Sequence, residues 1–597
     1  MSKLWPAQTI VQALQDEGVE VMYGLMGGHI QPVQDYAYRA GIQVCQVRHE
    51  QAAVYAADAY ARLTRRPSVC FGTAGPGMLN MVAGIHMAYV SRTPMVCLFG
   101  GHKERESHRG SMQEAYAADV CKSITKWTVR VNEPELAGHF VRKAFRDAMT
   151  PPYGPVGIEF PIDKFNWEPI EASSQIAYRP GAWRENAPPR ACIEPEYARS
   201  VKEAIAAAKR PMLIGGEGIH WSGAEDTLRR FVETANIPFN LRRLGRGAVS
   251  ERHPLALSAG ARKDMLLEAD LVIVVGLHMG YLESFGNWGT QARFIQLNAT
   301  AEDILPSLPT QFELIGDPAA VLRQILDAGL RAPDDEGRRK WVQRAADAQQ
   351  RFNASMSDDA GTVASDSPIH PRWLGKVVSD VITPDMTVVL DSFTASTYLS
   401  DQMHALRGGQ ILDAGLSAAF GHGVGMGIGA QMAAPGKPVL VMLGDGGIGL
   451  GGGDIETAVR YGQPVVYLVY NDSALCAGLE NYCYGENFRV LGPNAKQGFN
   501  LTQDVRYDLM YAPLGCHTEL VVDPADIGPA IARAFDSGKT AVINLVGTRH
   551  VKHPLYDSAN AREMFWHLPA DEVEAPARRR HHEHFFPKFH DGRPWSK

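Results

Sequence analysis

The sequence predicts an α/β protein of three doubly wound parallel-sheet domains followed by an irregular C-terminal extension. Short β-branched runs alternate with helical stretches through most of the chain, the rhythm of parallel sheets covered by helices on both faces. Two polar stretches, AYRPGAWRENAPPRA at 177–191 and NASMSDDAGTVASDS at 353–367, interrupt that rhythm and read as linkers. The chain has 597 residues, and single cores stop growing beyond roughly 250–300 residues.

The first domain, residues 1–172, opens on an amphipathic helical stretch, MSKLWPAQTIVQALQDEGVE, that lacks a signal-peptide core. Its strand candidates are VEVMYGL (19–25), QVCQV (43–47), SVCFGTA (68–74), PMVCLFG (94–100) and GPVGIEFP (154–161). The second domain, 190–345, carries RPMLIGGEG (210–218), DLVIVVGL (270–277) and RFIQLN (293–298). The third, 366–550, carries MTVVLD (386–391), PVLVMLGDG (438–446), PVVYLVYND (464–472) and TAVINLV (540–546). The first and third share a strand–helix rhythm, and no short-period repeat is visible. After residue 550 the pattern ends. Residues 551–597 combine an Arg/His cluster at 578–584 with Phe585, Phe586, Phe589 and Trp595, and aromatics of this kind favour a segment packed on the body over a solvated basic tail.

Composition excludes several classes. With 45% hydrophobic and 21% charged residues the chain is an ordinary soluble globular protein. A formal net charge of −7 argues against nucleic acid as a partner. No apolar run approaches the ~20 residues of a membrane span. None of the 8 cysteines forms a C-x-x-C pair, which fits reduced thiols and predicts a cytoplasmic location.

The chemistry concentrates in LGDGGIGLGGGDIETAVRYGQPVVYLVYND, residues 443–472. One strand ends in Gly444-Asp445-Gly446, a helix follows, and the next strand ends in Asn471-Asp472 about 26 residues later, at the same sheet edge. Asp445 offers a carboxylate, Asn471 an amide oxygen and Ser473 a backbone carbonyl. A small set of hard oxygen ligands suits Mg²⁺ that also holds phosphates. Gly446 and Gly447 let backbone N–H groups approach a diphosphate at the helix N-terminus. A GDG tripeptide alone is more often only a turn; GDG with Asn at this spacing between apolar strands is specific.

GDG followed at this distance by Asn resembles the signature of thiamine-diphosphate enzymes, and the likeness extends to about residue 550. The resemblance implies a pyrimidine-binding domain, a central domain and a diphosphate-binding domain in that order. It also implies a cofactor held between the pyrimidine domain of one subunit and the diphosphate domain of another, hence a homodimer or homotetramer with shared sites. Glu50, alone, would be an exposed first-turn residue helped by the helix dipole. Its context, RHEQAA, looks like the family's activating-glutamate segment, which implies a carboxyl that bonds the pyrimidine nitrogen and promotes the imino tautomer. TAGPG at 73–77, with Gly75 and Pro76, matches the segment lining the pyrimidine, although a glycine-rich turn explains it equally well in isolation. LDAGLSAAFGHGVGMGIGAQ (412–431) resembles the stretch behind the cofactor. By that likeness the Ala418 carbonyl faces the 4′-amino group and Phe420 is the wedge, where relatives place Met, Leu or Ile. Asp391-Ser392-Phe393, at the end of the MTVVLD strand, is the expected second loop over the diphosphate.

Three residues narrow the reaction. His29, in YGLMGGHIQPV, and Gln113, in GSMQEAYAADV, match positions that touch the reacting oxygen in relatives such as benzaldehyde lyase. Glu480, in NDSALCAGLENYCYG, matches a proton-transfer position of lyase-like relatives; a solvent-facing helical Glu is the plain alternative. The chain lacks the Arg-rich central segment of flavin-containing acetolactate synthases, reading GLHMGYLES at 276–284, so FAD is less expected. It has Gln113-Glu114 where oxalyl-CoA decarboxylases carry Tyr-Glu. The resemblance therefore points to the 2-hydroxyacyl-CoA lyase group, including members with an extended C-terminal lid, with acyl-CoA as substrate class. Arg242, Arg243 and Arg246 are either ligands for an ADP- or CoA-type nucleotide in the central domain or a solvated basic loop. A carboligase on free 2-oxo acids or hydroxyketones is the first alternative, and a catalytically silent binding homologue the second.

Overall fold

The computed structural model describes residues 3–174, 190–280, 288–289, 291–306, 308–478 and 498–554. Three parallel sheets form the body. The first contains Val21–Gly24 (β1), Gln43–Gln46 (β2), Ser68–Gly72 (β3), Met95–Gly101 (β4), Thr128–Arg130 (β5) and Pro155–Pro161 (β6), in the order β2-β1-β3-β4-β6-β5. The second contains Pro211–Gly215 (β7), Phe239–Leu241 (β8), Leu271–Val275 (β9), Arg293–Asn298 (β10) and Thr310–Ile315 (β11), in the order β8-β7-β9-β10-β11. The third contains Thr387–Leu390 (β12), Ile411–Asp413 (β13), Val439–Gly444 (β14), Val465–Asn471 (β15), His517–Val521 (β16) and Ala541–Val546 (β17), in the order β13-β12-β14-β15-β17-β16. The first and third sheets thus share one winding, which explains the shared rhythm of their sequences. A two-residue antiparallel pairing, Lys3–Leu4 with Ile170–Glu171, ties the start of the first domain to its end.

Helices cover both faces. The ones that matter below are Pro6–Asp16 (α1), Glu50–Thr64 (α2), Pro76–Val90 (α3), Glu336–Thr362 (α4), Gly423–Ala433 (α5), Asp445–Gly451 (α6) and Ile455–Arg460 (α7). Strands such as β4, β6, β14 and β15 are buried along their whole length. That is why they read as unbroken apolar runs and not as alternating ones.

The first and third domains are joined by α2 against α5. The α2 sequence EQAAVYAADAYARLT puts alanines at the contact, and α5 meets them with glycines. A Cβ at Gly425 would stand 2.7 Å from the Ala52 carbonyl oxygen, and one at Gly429 only 1.9 Å from that of Ala56. The two backbones therefore approach more closely than any side chain allows. One core runs through this contact, from Tyr55, Ala56 and Met81 to Val424, Val441 and Tyr467.

Two expectations need correction. The stretch 353–367 is not a linker over its first ten residues, because α4 runs on to Thr362. Asp335 caps its start by accepting from the Arg338 amide at 2.8 Å, and Gln402 Nε2 donates to the Met356 carbonyl at 3.0 Å near its end. Tertiary contacts thus hold a polar sequence helical. The other polar stretch, 177–191, lies outside the described residues except at its last two positions. Arg243 and Arg246 do not form a solvated loop. Arg243 Nη1 reaches Glu217 at 3.2 Å, and Arg246 grips Glu251 with two bonds, at 2.7 and 2.8 Å, plus the Met403 carbonyl at 2.9 Å. Buried guanidinium groups demand such partners. Among the described residues no helix is long and apolar enough to cross a membrane.

Candidate active site

Open α/β sheets bind ligands where the strand order reverses, beyond the carboxyl ends of the strands. In the third sheet that point lies between β12 and β14, and the loops leaving it are Asp391-Ser392-Phe393 and Gly444-Asp445-Gly446. Asp445, the first residue of α6, is 3% exposed. Its Oδ1 accepts from the Gly446 amide at 2.7 Å and its Oδ2 from the Ala474 amide at 3.2 Å. Burial pushes the Asp445 carboxyl above the usual range, and these amides pull it back.

Asn471 ends β15, the neighbour of β14. Its Nδ2 donates to the Val505 carbonyl at 2.9 Å and to Asn544 Oδ1 at 3.2 Å. That assignment leaves Oδ1 as its remaining acceptor, with the Ser473 hydroxyl at 3.5 Å. Ser473 has a left-handed backbone, φ 55°, and its carbonyl accepts from the Leu501 amide at 3.0 Å.

Asp391, 1% exposed, fastens the back of this cleft. It accepts from the amides of Ser392 (2.6 Å), Gly421 (2.9 Å) and Gly423 (2.8 Å), so the end of β12 and the entry of α5 are one unit. Ser392 is half-buried there. The Phe393 side chain packs inward, its ring 6.4 Å from that of Tyr470, which leaves its backbone for the cleft. Phe420 projects beside the GDG turn. It stays 44% exposed, and its Cε2 lies 4.0 Å from the place a Cβ would occupy on Gly446. Ala418, two residues earlier, holds φ 47°, a conformation costly for a residue with a Cβ.

The first sheet has its own switch point, between β1 and β3. His29 lies in the loop after β1, and Thr73 and Gly75 follow β3. His29 Nδ1 is 3.4 Å from Thr73 Oγ1, and the ring hydrogen-bonds Gln113. Burial, and then nearby His102, hold His29 below the ordinary histidine value. Gln113 has φ 58°, and a Cβ on Gly75 (φ 58°) would stand 3.0 Å from the Gln113 carbonyl oxygen. Gly75 precedes Pro76, the first residue of α3. Glu50 opens α2 and is 4% exposed. Its Oε2 accepts from Asn80 Nδ2 at 2.9 Å, and its Oε1 lies 3.2 Å from a Cβ position on Gly77. His29, Gln113, Gly75 and Pro76 are thus gathered at one sheet edge, with Glu50 beside them. Sequence reasoning missed Asn80 and Thr73; both sit within or just after the TAGPG segment, which was the available signal. Glu480 lies outside the described residues, as does the extension from residue 555.

Known proteins share this arrangement at the level of sequence. Residues 5–121 match the thiamine pyrophosphate enzyme N-terminal TPP binding domain, 198–325 the central domain and 394–545 the C-terminal TPP binding domain. The chain is 30% identical over 560 residues to a probable acetolactate synthase of Mycobacterium bovis, covering 92% of this chain and 98% of that one. The chain belongs to the thiamine pyrophosphate enzyme family. It is also 28% identical over 551 residues to oxalyl-CoA decarboxylase of Escherichia coli (90% and 94% of the two chains). With 2-hydroxyacyl-CoA lyase 1 of Mus musculus it shares 28% over 493 residues (79% and 82%).

A thiamine-diphosphate enzyme needs a phosphate cradle, and the chain supplies one. Gly446 and Gly447 face Leu475, Phe420 and Asp391, so a Cβ at either would fill the space beside the turn. The acceptors at hand are all oxygens, one of them a buried carboxylate whose partners are backbone amides. Such a set suits a hard divalent cation shared with phosphate. Among the described residues no cluster of three or more His, Cys, Asp or Glu offers an all-protein metal cage.

Proposed function

We propose that this enzyme is a lyase, and in reverse a ligase, that cleaves a 2-hydroxyacyl-CoA to a carbonyl compound and formyl-CoA at sites shared between two copies of the chain. The observation that carries the reading is the half-buried His29, kept neutral and hydrogen-bonded to Gln113 at the switch point of the pyrimidine domain. A neutral imidazole there is a base for a hydroxyl group, and the Gln113 amide donates to the oxygen as it becomes a carbonyl. Beside it a Cβ on Gly28 would meet nothing within 4 Å, so the cleft has room. Met26 and Met112, 62% and 77% exposed, give its rim an adaptable apolar character suited to an acyl chain.

Thiamine diphosphate, when bound, supplies a carbon nucleophile and an electron sink. Asp445, Asn471 and the Ser473 carbonyl would hold Mg²⁺ against its diphosphate, Gly446 and Gly447 would approach the phosphates, and Phe420 would back the ring. Glu50 would hold a proton at the pyrimidine nitrogen. His29 takes the substrate hydroxyl proton as the carbon–carbon bond breaks. The same proton is returned to the one-carbon fragment, so formyl thioester and carbonyl product together account for every atom of the substrate.

The test is to incubate the protein, loaded with Mg²⁺ and thiamine diphosphate, with 2-hydroxyacyl-CoA thioesters and to quantify formyl-CoA. Turnover that falls by about 10²–10⁴ in His29→Ala, with cofactor affinity kept, is the expected result. A second reading, condensation of free 2-oxo acids, is favoured by the acetolactate synthase relative. Acetolactate formed from pyruvate with no thioester cleavage would establish it instead.

A further inference from the structure

We propose that Asp454 is a positioning residue for Glu50, acting from the diphosphate domain on the turn that presents Glu50 in the pyrimidine domain. The inference rests on the reading of Glu50 as the cofactor-activating carboxyl. Asp454 lies where α6 passes through a 3₁₀ turn into α7, and it is 2% exposed. Its Oδ1 accepts from the Arg48 amide at 2.7 Å and from the Thr457 hydroxyl at 2.8 Å. The His49 amide adds a further bond. Two residues of the next stretch continue the clamp. Arg460 donates to the Gln46 carbonyl at 2.6 Å, while the Tyr461 hydroxyl accepts from the Gln46 amide at 2.8 Å and donates to the Val44 carbonyl at 2.9 Å. The backbone of residues 44–49, leading directly into Glu50, is therefore held by residues 454–461 of the other domain.

A buried carboxylate is expensive, and here burial does push the Asp454 carboxyl up. Its return is a pair of charge-assisted bonds to consecutive amides at a helix start, where backbone donors otherwise lack partners. Such bonds fix where the first residue of α2 begins. A carboxyl that must meet one ring nitrogen tolerates little displacement, since about 1 Å of misplacement costs on the order of 100-fold in rate.

The experiment compares Asp454→Ala and Asp454→Asn in the full chain. In the cofactor-free protein, amide hydrogen exchange over residues 44–50 should rise about tenfold or more in Asp454→Ala. In protein loaded with Mg²⁺ and thiamine diphosphate, deuterium exchange at the cofactor's C2 should slow on the order of 100-fold in Asp454→Ala. Asp454→Asn keeps an oxygen acceptor and should recover part of that rate; should the alanine variant not fold, it carries the test with a loss of about tenfold. The double variant Asp454→Ala/Glu50→Gln should exchange no more slowly than Glu50→Gln alone, because one residue acts through the other. Wild-type C2 exchange in the Asp454 variants, or losses that multiply with Glu50→Gln, would overturn the proposal. If Glu50→Gln itself exchanges at the wild-type rate, the reading of Glu50 fails, and this inference with it.

Discussion

His29 shows how a single environment sets a reaction's pH range. The folded chain penalises the imidazolium, through burial first and His102 second. The base form therefore persists as pH falls through the ordinary histidine value of 6.5. The acid limb of the kcat/KM profile should lie below that value and should vanish in His29→Asn; a limb centred above it would remove His29 as the base. His220 makes the corresponding case for stability. Its Nε2 donates to the Arg62 carbonyl at 2.8 Å while its Nδ1 faces Arg65 at 3.3 Å, and burial lowers its pKa to about 3. Between the unfolded value near 6.5 and about 3 the unfolded chain binds a proton that the folded chain does not. Stability is therefore complete above pH 6.5 and drains away as pH falls through that window. Thermal melts between pH 7 and pH 5 should show a steeper loss in wild type than in His220→Gln.

At the scale of elements, the α2–α5 contact sets what sequence changes the protein tolerates. Gly429→Ala places a methyl within the volume of the Ala56 carbonyl, so the helices must separate or α5 must bend. Destabilisation beyond about 3 kcal/mol is expected, in the class of severe core overpacking. Gly361→Ala is the control. A Cβ there meets nothing within 4 Å, and the residue lies in α4, so a gain of about 0.5–1 kcal/mol is expected from helix propensity. Chemical denaturation of the two variants measures both, and equal effects would mean that the close approach is not a constraint. The edge strands belong to this scale too. Of the six strands at sheet edges, β5, β8, β11, β13 and β16 were not legible in the sequence, whereas β2 and all the interior strands were. Strands such as TVR (128–130) and HTELV (517–521) bury little and carry polar residues, so they lack the apolar run that marks a strand covered on both faces.

For the whole molecule, the proposal of shared sites has a direct genetic consequence. The proposed sharing predicts complementation between Glu50→Gln, which should bind cofactor without activating it, and Asp445→Ala, which should fail to bind it. Each homodimer should be inactive. A heterodimer purified through two different tags contains one site with both residues intact and should recover roughly half of wild-type activity. An inactive heterodimer would place Glu50 and Asp445 of one site in the same chain. A monomeric enzyme in sedimentation, fully active, would have the same consequence.

The three-sheet architecture and the GDG–Asn pair at one sheet edge were legible in the residues alone, and the likeness of that pair to a known signature pointed to the family. These features are encoded locally, as apolar runs of strand length and as residues at fixed offsets from strand ends. The sequence also named His29, Gln113 and Glu50, but only by resemblance. What brings His29 to Gln113 is the winding of the first sheet, and that is a long-range property. The bonds of Asn80, Asp391 and Asp454 depend on partners from distant strands and helices; TAGPG flags the neighbourhood of the first and the end of the MTVVLD strand that of the second, but nothing in the residues flanking Asp454 announces its partners. The same holds for Arg243 and Arg246, whose sequence context suggests free cations. Only the packed structure supplies Glu217 and Glu251 at bonding distance, because a guanidinium removed from water is stable only where the fold delivers an acceptor.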